Sequence, residues 1–187
     1  MPEDVSEYIP QTARDPVRAR RAWAAWGAAL GVAALLVGLI VAAPLLRARG
    51  AVFLSAALYG GFRAACHQMP ERSFHAAGFP LAVCARCFGL YAGALFGLAV
   101  YPLARSLRRT DAPPRAWLFL AAVPTSVDFA LGVLGVWENT HWSRFLTAAL
   151  LGGAAAFYVM PGAADLASRY WPRRGRALVA VRPSPGG

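Results

Sequence analysis

The apolar stretch from Trp23 to Leu46 constrains this chain more than any other feature. It is long enough to cross a hydrocarbon core of ~30 Å, which takes roughly 20 helical residues. It stops at Arg47 and Arg49. A secretory signal has an apolar core of only about 7 to 15 residues, so this stretch reads as a retained helix. Three further apolar runs follow, Phe79 to Ala104, Ala116 to Val136 and Ser143 to Pro161. The segment Ala51 to Ala65 is apolar but short, and Gly60, Gly61 and Arg63 interrupt it, which suits a re-entrant or interfacial helix. The expected fold is all-α: an integral membrane bundle of about four transmembrane helices plus one short interfacial helix.

Composition agrees. With 58% hydrophobic and 15% charged residues in 187, the chain is too apolar for an ordinary soluble domain, which carries about a quarter charged residues. The net charge of +10 comes from arginine alone, and most arginines sit at the ends of apolar stretches. Topology signals and anionic lipid account for them, so the lipid bilayer is the expected partner and nucleic acid is not. The chain divides into a flexible tail over 1–22, a transmembrane domain over 23–163, and a basic tail over 164–187 expected to be disordered. The N-terminal tail, the loop Arg105 to Arg115 and the C-terminal tail are arginine-rich, whereas Trp137 to Trp142 has no arginine. The arginine-rich segments are therefore expected in the cytoplasm of a prokaryote, with the cysteine region on the outer side of the cytoplasmic membrane.

All three cysteines and two of the three histidines fall between Cys66 and Cys87. Cys84 and Cys87, three residues apart in the first turns of the second span, can direct both sulfurs to one centre, and Cys66 with His67 can approach from the preceding loop. Three thiolates and an imidazole suit zinc or another soft transition metal such as Cu(I). His67 is the favoured nitrogen ligand and His75 the alternative. Adjacent residues point apart in regular structure, so Cys66 and His67 can share an ion only on irregular backbone, which Gln68-Met69-Pro70 permits. The competing reading is a disulfide or redox pair, with Arg86 between the cysteines favouring a thiolate; inert helix thiols are the third. Phe88 stands where c-type haem attachment needs histidine. Arg72 and Ser73 can hydrogen-bond the thiolates or a bound anion, or simply form a solvated turn.

Asp128 lies mid-span. An isolated carboxylate there costs about 2.5 to 3.5 kcal/mol, so it must face the bundle interior and find a partner, for which Arg144 is the natural candidate. Such a pair can be structural glue or part of a pocket beneath the cysteines. Asn139 belongs to the polar group at the end of the third span, Thr147 shares a helical face with Arg144, and His141 reads as an interfacial residue beside Trp137 and Trp142. Gly89, Gly93 and Gly97 offer a groove for close helix contact.

The pattern Cys66-His67-Gln68, Pro70, Arg72-Ser73-Phe74, then Cys84-Ala85-Arg86-Cys87-x-Gly89-x-Tyr91-x-Gly93, resembles the family of small predicted membrane proteins known as domain of unknown function 2085. The resemblance runs from about Ala51 to Gly162 and includes Pro124, Asp128, Asn139, Arg144 and Thr147. Phe129 and Ala148 stand where the family pattern has glycine. The resemblance implies a helical membrane bundle and no established activity. From the residues, a metal site leads. Its rival is a thiol-disulfide oxidoreductase similar in layout to the four-helix enzymes that pass electrons to a membrane quinone, with Cys66 as shuttle thiol. A third reading is an accessory subunit whose site staples the Ala51 helix to the second span. The residues leave open whether the protein is an enzyme.

Overall fold

The computed structural model describes residues 16–170 apart from Arg108 and Thr110. The expectations for the start of the N-terminal tail, for Arg108, and for the basic tail from 171 onward lie outside the described residues. Five helices follow one another: α1 (Pro16–Ala48), α2 (Val52–Arg63), α3 (Ala85–Ala104), α4 (Arg115–Val133) and α5 (His141–Tyr170). Between α2 and α3 stand a 3-10 turn, Pro70–Arg72, and a small hairpin of β1 (His75–Ala76) and β2 (Phe79–Pro80). Helices α1, α3, α4 and α5 are long and apolar enough to cross a membrane. Their outward faces carry Phe96, Leu103, Phe119, Leu120 and Leu150, all exposed, a distribution suited to lipid rather than water.

Helices α3 and α5 run parallel and meet along glycine. A Cβ on Gly89 or Gly93 would collide with the carbonyl oxygen of Phe145 or Ala149, one on Gly97 would lie 2.5 Å from that of Gly153, and one on Gly152 would strike that of Leu90. Backbones this close gain dispersion contacts that larger side chains would forbid, and hydrocarbon offers little other drive for helix association. Helix α4 returns antiparallel against α5: the Tyr158 hydroxyl donates to Pro114 O at 2.7 Å, while Asn139, just before α5, reaches Asp128 late in α4.

Two prolines explain how α1 is tied in. Proline leaves the carbonyl four residues earlier without its helical donor. Pro44 frees Ile40 O, and the Ala82 amide takes it at 3.4 Å; Pro102 frees Leu98 O, and Trp26 Nε1 takes it at 2.8 Å. These bonds join both ends of α1 to the α3 region and set the two antiparallel. Gly50, at φ 81°, then reverses the chain: Ala51 N–H bonds Leu46 O and Gly50 N–H bonds Arg47 O, closing α1 with a left-handed glycine cap. Ser55 Oγ donates to Ala43 O at 2.8 Å and holds α2 against α1. Because α1 ends and α3 begins at the same end of the bundle, α2 does not carry the chain across it. The cysteine loop, the end of α4 and the start of α5 share that end. The start of α1, the loop from Arg105 to Pro114 and the end of α5 share the other. Exposed tryptophans flank both, Trp137 and Trp142 at the first, Trp23 and Trp117 at the second.

Several expected boundaries move. The second span begins at Ala85, not Phe79, because residues 74–81 are committed to the hairpin: Leu81 N–H bonds Phe74 O at 2.7 Å, and Ala77 and Gly78 turn the chain at φ 51° and 83°. The third span stops at Val133 rather than Val136, where Gly135 at φ 69° allows Val136 and Trp137 to return their amides to Leu131 O. The first and last helices outrun their expected limits at Trp23 and Pro161. Helix α5 continues through Pro161 because buried Met160 and Ala164 pack with Ala22, Leu98 and Tyr101.

The glycine seam is testable. Gly93→Ala should lower thermal stability in detergent by an amount of order 1 to 3 kcal/mol, the cost of overpacking. Gly31→Ala, whose added methyl meets nothing within 4 Å, should be close to neutral. Equal melting temperatures for the two variants would show that the seam is not tight.

Candidate metal centre

The loop from Ala64 to Cys84 owes its shape to hydrogen bonds that converge on Cys66 and Gln68. Gln68 occupies the left-handed region at φ 54°, which turns its amide back to within 3.4 Å of Cys66 Sγ. Its side-chain Nε2 donates to Tyr59 O at 2.7 Å and to Ala82 O at 2.8 Å, clamping α2 to the segment before α3. The Tyr59 hydroxyl donates to Pro80 O, and Ser73 Oγ to Met69 O at 2.8 Å. Cys66 is buried among Ile40, Phe62, Leu81 and Val83. Cys84 caps α3, and its amide donates to Cys66 Sγ at 3.2 Å. With Cys87 one turn into the helix, the three Sγ atoms lie within 4.8 Å of one another.

Tetrahedral bonds of about 2.3 Å would set sulfurs roughly 3.8 Å apart, so a small contraction brings the three onto one ion. All three thiols are free of disulfides. The Cys87 thiol donates toward Cys84 and brings its pKa down to about 5 against the opposing effect of burial; the amides of Arg86 and Cys87 in the open first turn and the Cys66 side chain add to the lowering. The environment of Cys84 therefore favours the thiolate, the form in which sulfur binds metal.

No histidine nitrogen joins the sulfur group within that distance among the described residues. His67 is exposed and lines the cavity above the thiols, whereas His75 sits exposed on β1 and does not line it. The Gln68 turn that folds the backbone onto Cys66 leaves its neighbour directed elsewhere.

The cavity has a volume of about 630 Å³, and its walls include Arg72, Arg86, Phe129, Asn139 and Arg144. Here the expected Asp128–Arg144 pair requires correction. Asp128, 7% exposed, pairs with Arg86 through Nη2 at 2.5 Å, and the Arg86 guanidinium lies 5.2 Å from the Phe129 ring centroid. Helix α4 packs on α5, and its second half reaches the start of α3 at one point, where Asp128 meets the residue between the two cysteines. Arg144 borders the same cavity from α5 without an ion pair among the described residues. The Asn139 amide donates to Asp128 O, an approach that needs Gly132, since a Cβ there would lie 2.6 Å from Asn139 Oδ1. Thr147 spends its hydroxyl on Ser143 O at 2.7 Å within its own helix, and Tyr91 packs its ring 6.3 Å from Phe62. Phe74 gathers His141, Trp142 and Phe145 around the hairpin, so His141 lies beside Trp142 with its Nε2 buried and unpartnered among the described residues. Sequence reasoning missed Gln68 and Tyr59 as supports of the site. The one signal was Gln68's place directly after Cys66-His67.

The family described as predicted membrane protein, DUF2085, matches residues 66–158, from the first cysteine well into α5. A protein of Methanocaldococcus jannaschii, "Uncharacterized protein MJ1492", is 39% identical over 109 residues, which cover 58% of this chain and 70% of the relative. The chain belongs to the DUF2085 family. A second relative, an "Uncharacterized protein" of Methanothermobacter thermautotrophicus, is 36% identical over 86 residues, 46% of this chain and 76% of its own. No solved structure matches. In this DUF2085 chain the matched region holds the cysteine cluster, Arg86, Asp128, Asn139 and Arg144; α1 and α2 lie before it.

The corrected ion pair yields its own measurement. Asp128→Asn and Arg86→Gln should each destabilise the bundle, and the double variant should be milder than their sum by about 0.5 to 3 kcal/mol. Asp128→Asn combined with Arg144→Gln should come closer to additive. The reverse ranking in a thermal-unfolding cycle would restore Arg144 as the partner.

Proposed function

We propose that this membrane protein holds a soft or borderline metal ion, zinc or Cu(I), on the thiolates of Cys66, Cys84 and Cys87. The single observation that carries the reading is the meeting of three sulfurs from two separate segments, with no carboxylate in the group. An all-sulfur donor set selects zinc or copper over calcium, magnesium or manganese. In this reading His67, the histidine that borders the cavity, supplies the fourth ligand in preference to His75. The ion would tie the loop after α2 to the first turn of α3, and the cavity beside it leaves room for a molecule to approach. The cysteine end faces outward and the arginine-rich end faces the cytoplasm, a reading supported by the loop from Arg105 to Arg115 lying opposite the thiols.

One observation favours a second reading. Cys84 caps a helix with Cys87 one turn in, and Cys66 is a third thiol within reach, the layout of a redox dithiol. There Cys84 and Cys87 would form a disulfide, passing two electrons and two protons to a membrane quinone.

Elemental analysis decides between them. The full chain, purified reduced and supplied with zinc or Cu(I), should carry about one ion per chain, and Cys66→Ser, Cys84→Ser and Cys87→Ser should each abolish stoichiometric binding. Cys66→Ser should also speed proteolysis near Pro70, and His67→Ala should weaken retention more than His75→Ala. Wild-type protein that holds no ion and forms a Cys84–Cys87 disulfide in air would replace the metal reading with the redox one.

For orientation, a reporter fused after Arg109 should read cytoplasmic and one fused after Arg72 external. Two fusions reporting one compartment would overturn the assignment.

A further inference from the structure

The cavity above the thiols carries more positive charge than its own residues neutralise. Arg72, Arg86 and Arg144 border it, and Arg144 lies close enough to the other two to be repelled by both, yet among the described residues no aspartate or glutamate lines it. Asp128 pairs directly with Arg86 and acts on Arg144 only at longer range. Among the described residues Arg72 and Arg144 make no ion pair, and Arg144 is half-buried, where an uncompensated charge is costly. Among the described residues Arg86 Nε and Asn139 Oδ1 are buried without a partner. Arg86 thus spends one nitrogen on Asp128 and keeps a donor in reserve. Three thiolates would carry a net charge of about −1 around zinc, less than two arginines require, and about −2 around Cu(I). In either case that charge sits on sulfur, not on the paired oxygens a guanidinium fork matches.

The fixed fork of a guanidinium matches two oxygens of one carboxylate or phosphate. Phe129 and Val133 add an apolar wall, and a volume of about 630 Å³ suits a small molecule rather than a bare ion. We propose that this cavity binds a small organic oxyanion, its carboxylate or phosphate group held by Arg72 and Arg144 and its apolar part against Phe129 and Val133. The site shares its floor with the metal reading but is held by different residues, so either can fail without the other. The oxyanion comes from water or from a lipid headgroup, and the same two arginines would hold both.

The test uses the full chain in nanodiscs at constant ionic strength. In phosphatidylcholine discs, inorganic phosphate and, separately, acetate are titrated while the melting temperature is followed. In a second arm the discs contain increasing phosphatidylglycerol and no added oxyanion. Saturable stabilisation in any of these supports the proposal if Arg72→Gln and Arg144→Gln each weaken it by about tenfold or more, with Arg144→Lys falling between. Response to the soluble anions identifies a water-borne ligand, and response to phosphatidylglycerol alone a lipid headgroup. If Arg144→Gln does not fold, Arg72→Gln, on the exposed 3-10 turn, decides by itself. Arg49→Gln, an exposed arginine outside the cavity, should keep the response. No saturable response in any arm, or cavity-arginine variants that match wild type, would each overturn the proposal.

Discussion

Everything at the cysteine end depends on how closely α3 and α5 approach. Hydrocarbon solvates leucine as well as another leucine does, so apolar helices have little reason to associate except through close packing and hydrogen bonds. Gly89, Gly93, Gly97 and Gly152 supply that packing by letting carbonyls of one helix rest against the bare Cα of the other. The register follows from it. Phe145 sits over Gly89, which brings Arg144 near the first turn of α3, where Cys84, Arg86 and Cys87 stand. Because the two helices are parallel, α4 must return between them in sequence. That return lays Asp128 beside Arg86.

The second organising constraint is the demand that buried backbone groups be paired. Each unsatisfied group in lipid costs several kcal/mol, so a proline inside a span creates an acceptor that something must fill. Pro44 and Pro102 each create one, and each is filled from another part of the chain, by Ala82 and by Trp26. The first is the more consequential for the site. It fastens the segment just ahead of Cys84 to α1, while Gln68 fastens the same segment to α2. Cys66 then accepts the Cys84 amide, and two stretches of chain separated by the hairpin meet at sulfur.

The chemistry of the site is a contrast of softness and charge. At its floor are polarizable sulfurs, one of them, Cys84, with its thiolate favoured by the hydrogen bonds around it. Around them stand guanidinium groups, of which, among the described residues, Arg86 is the one ion-paired to a carboxylate. Phe129 lies against the Arg86 guanidinium and closes one wall. A positive rim of this kind favours thiolate over thiol.

The sequence by itself determined the all-helical membrane fold of about four spans and the clustering of Cys66, Cys84 and Cys87, while whether the Ala51 to Ala65 helix crosses was left to the tertiary structure. These follow from local properties: the length of an apolar run, the charges that end it, and the spacing of ligands along one segment. The tertiary structure decided what spacing cannot express. It chose Arg86 over Arg144 for Asp128, turned residues 74–81 into a hairpin ahead of α3, and left His67 at the cavity wall rather than among the sulfurs. Those outcomes depend on which helix faces which, and at what depth. Glycine contacts between α3 and α5 and carbonyls freed by distant prolines set both, and each needs a partner many residues away in the chain.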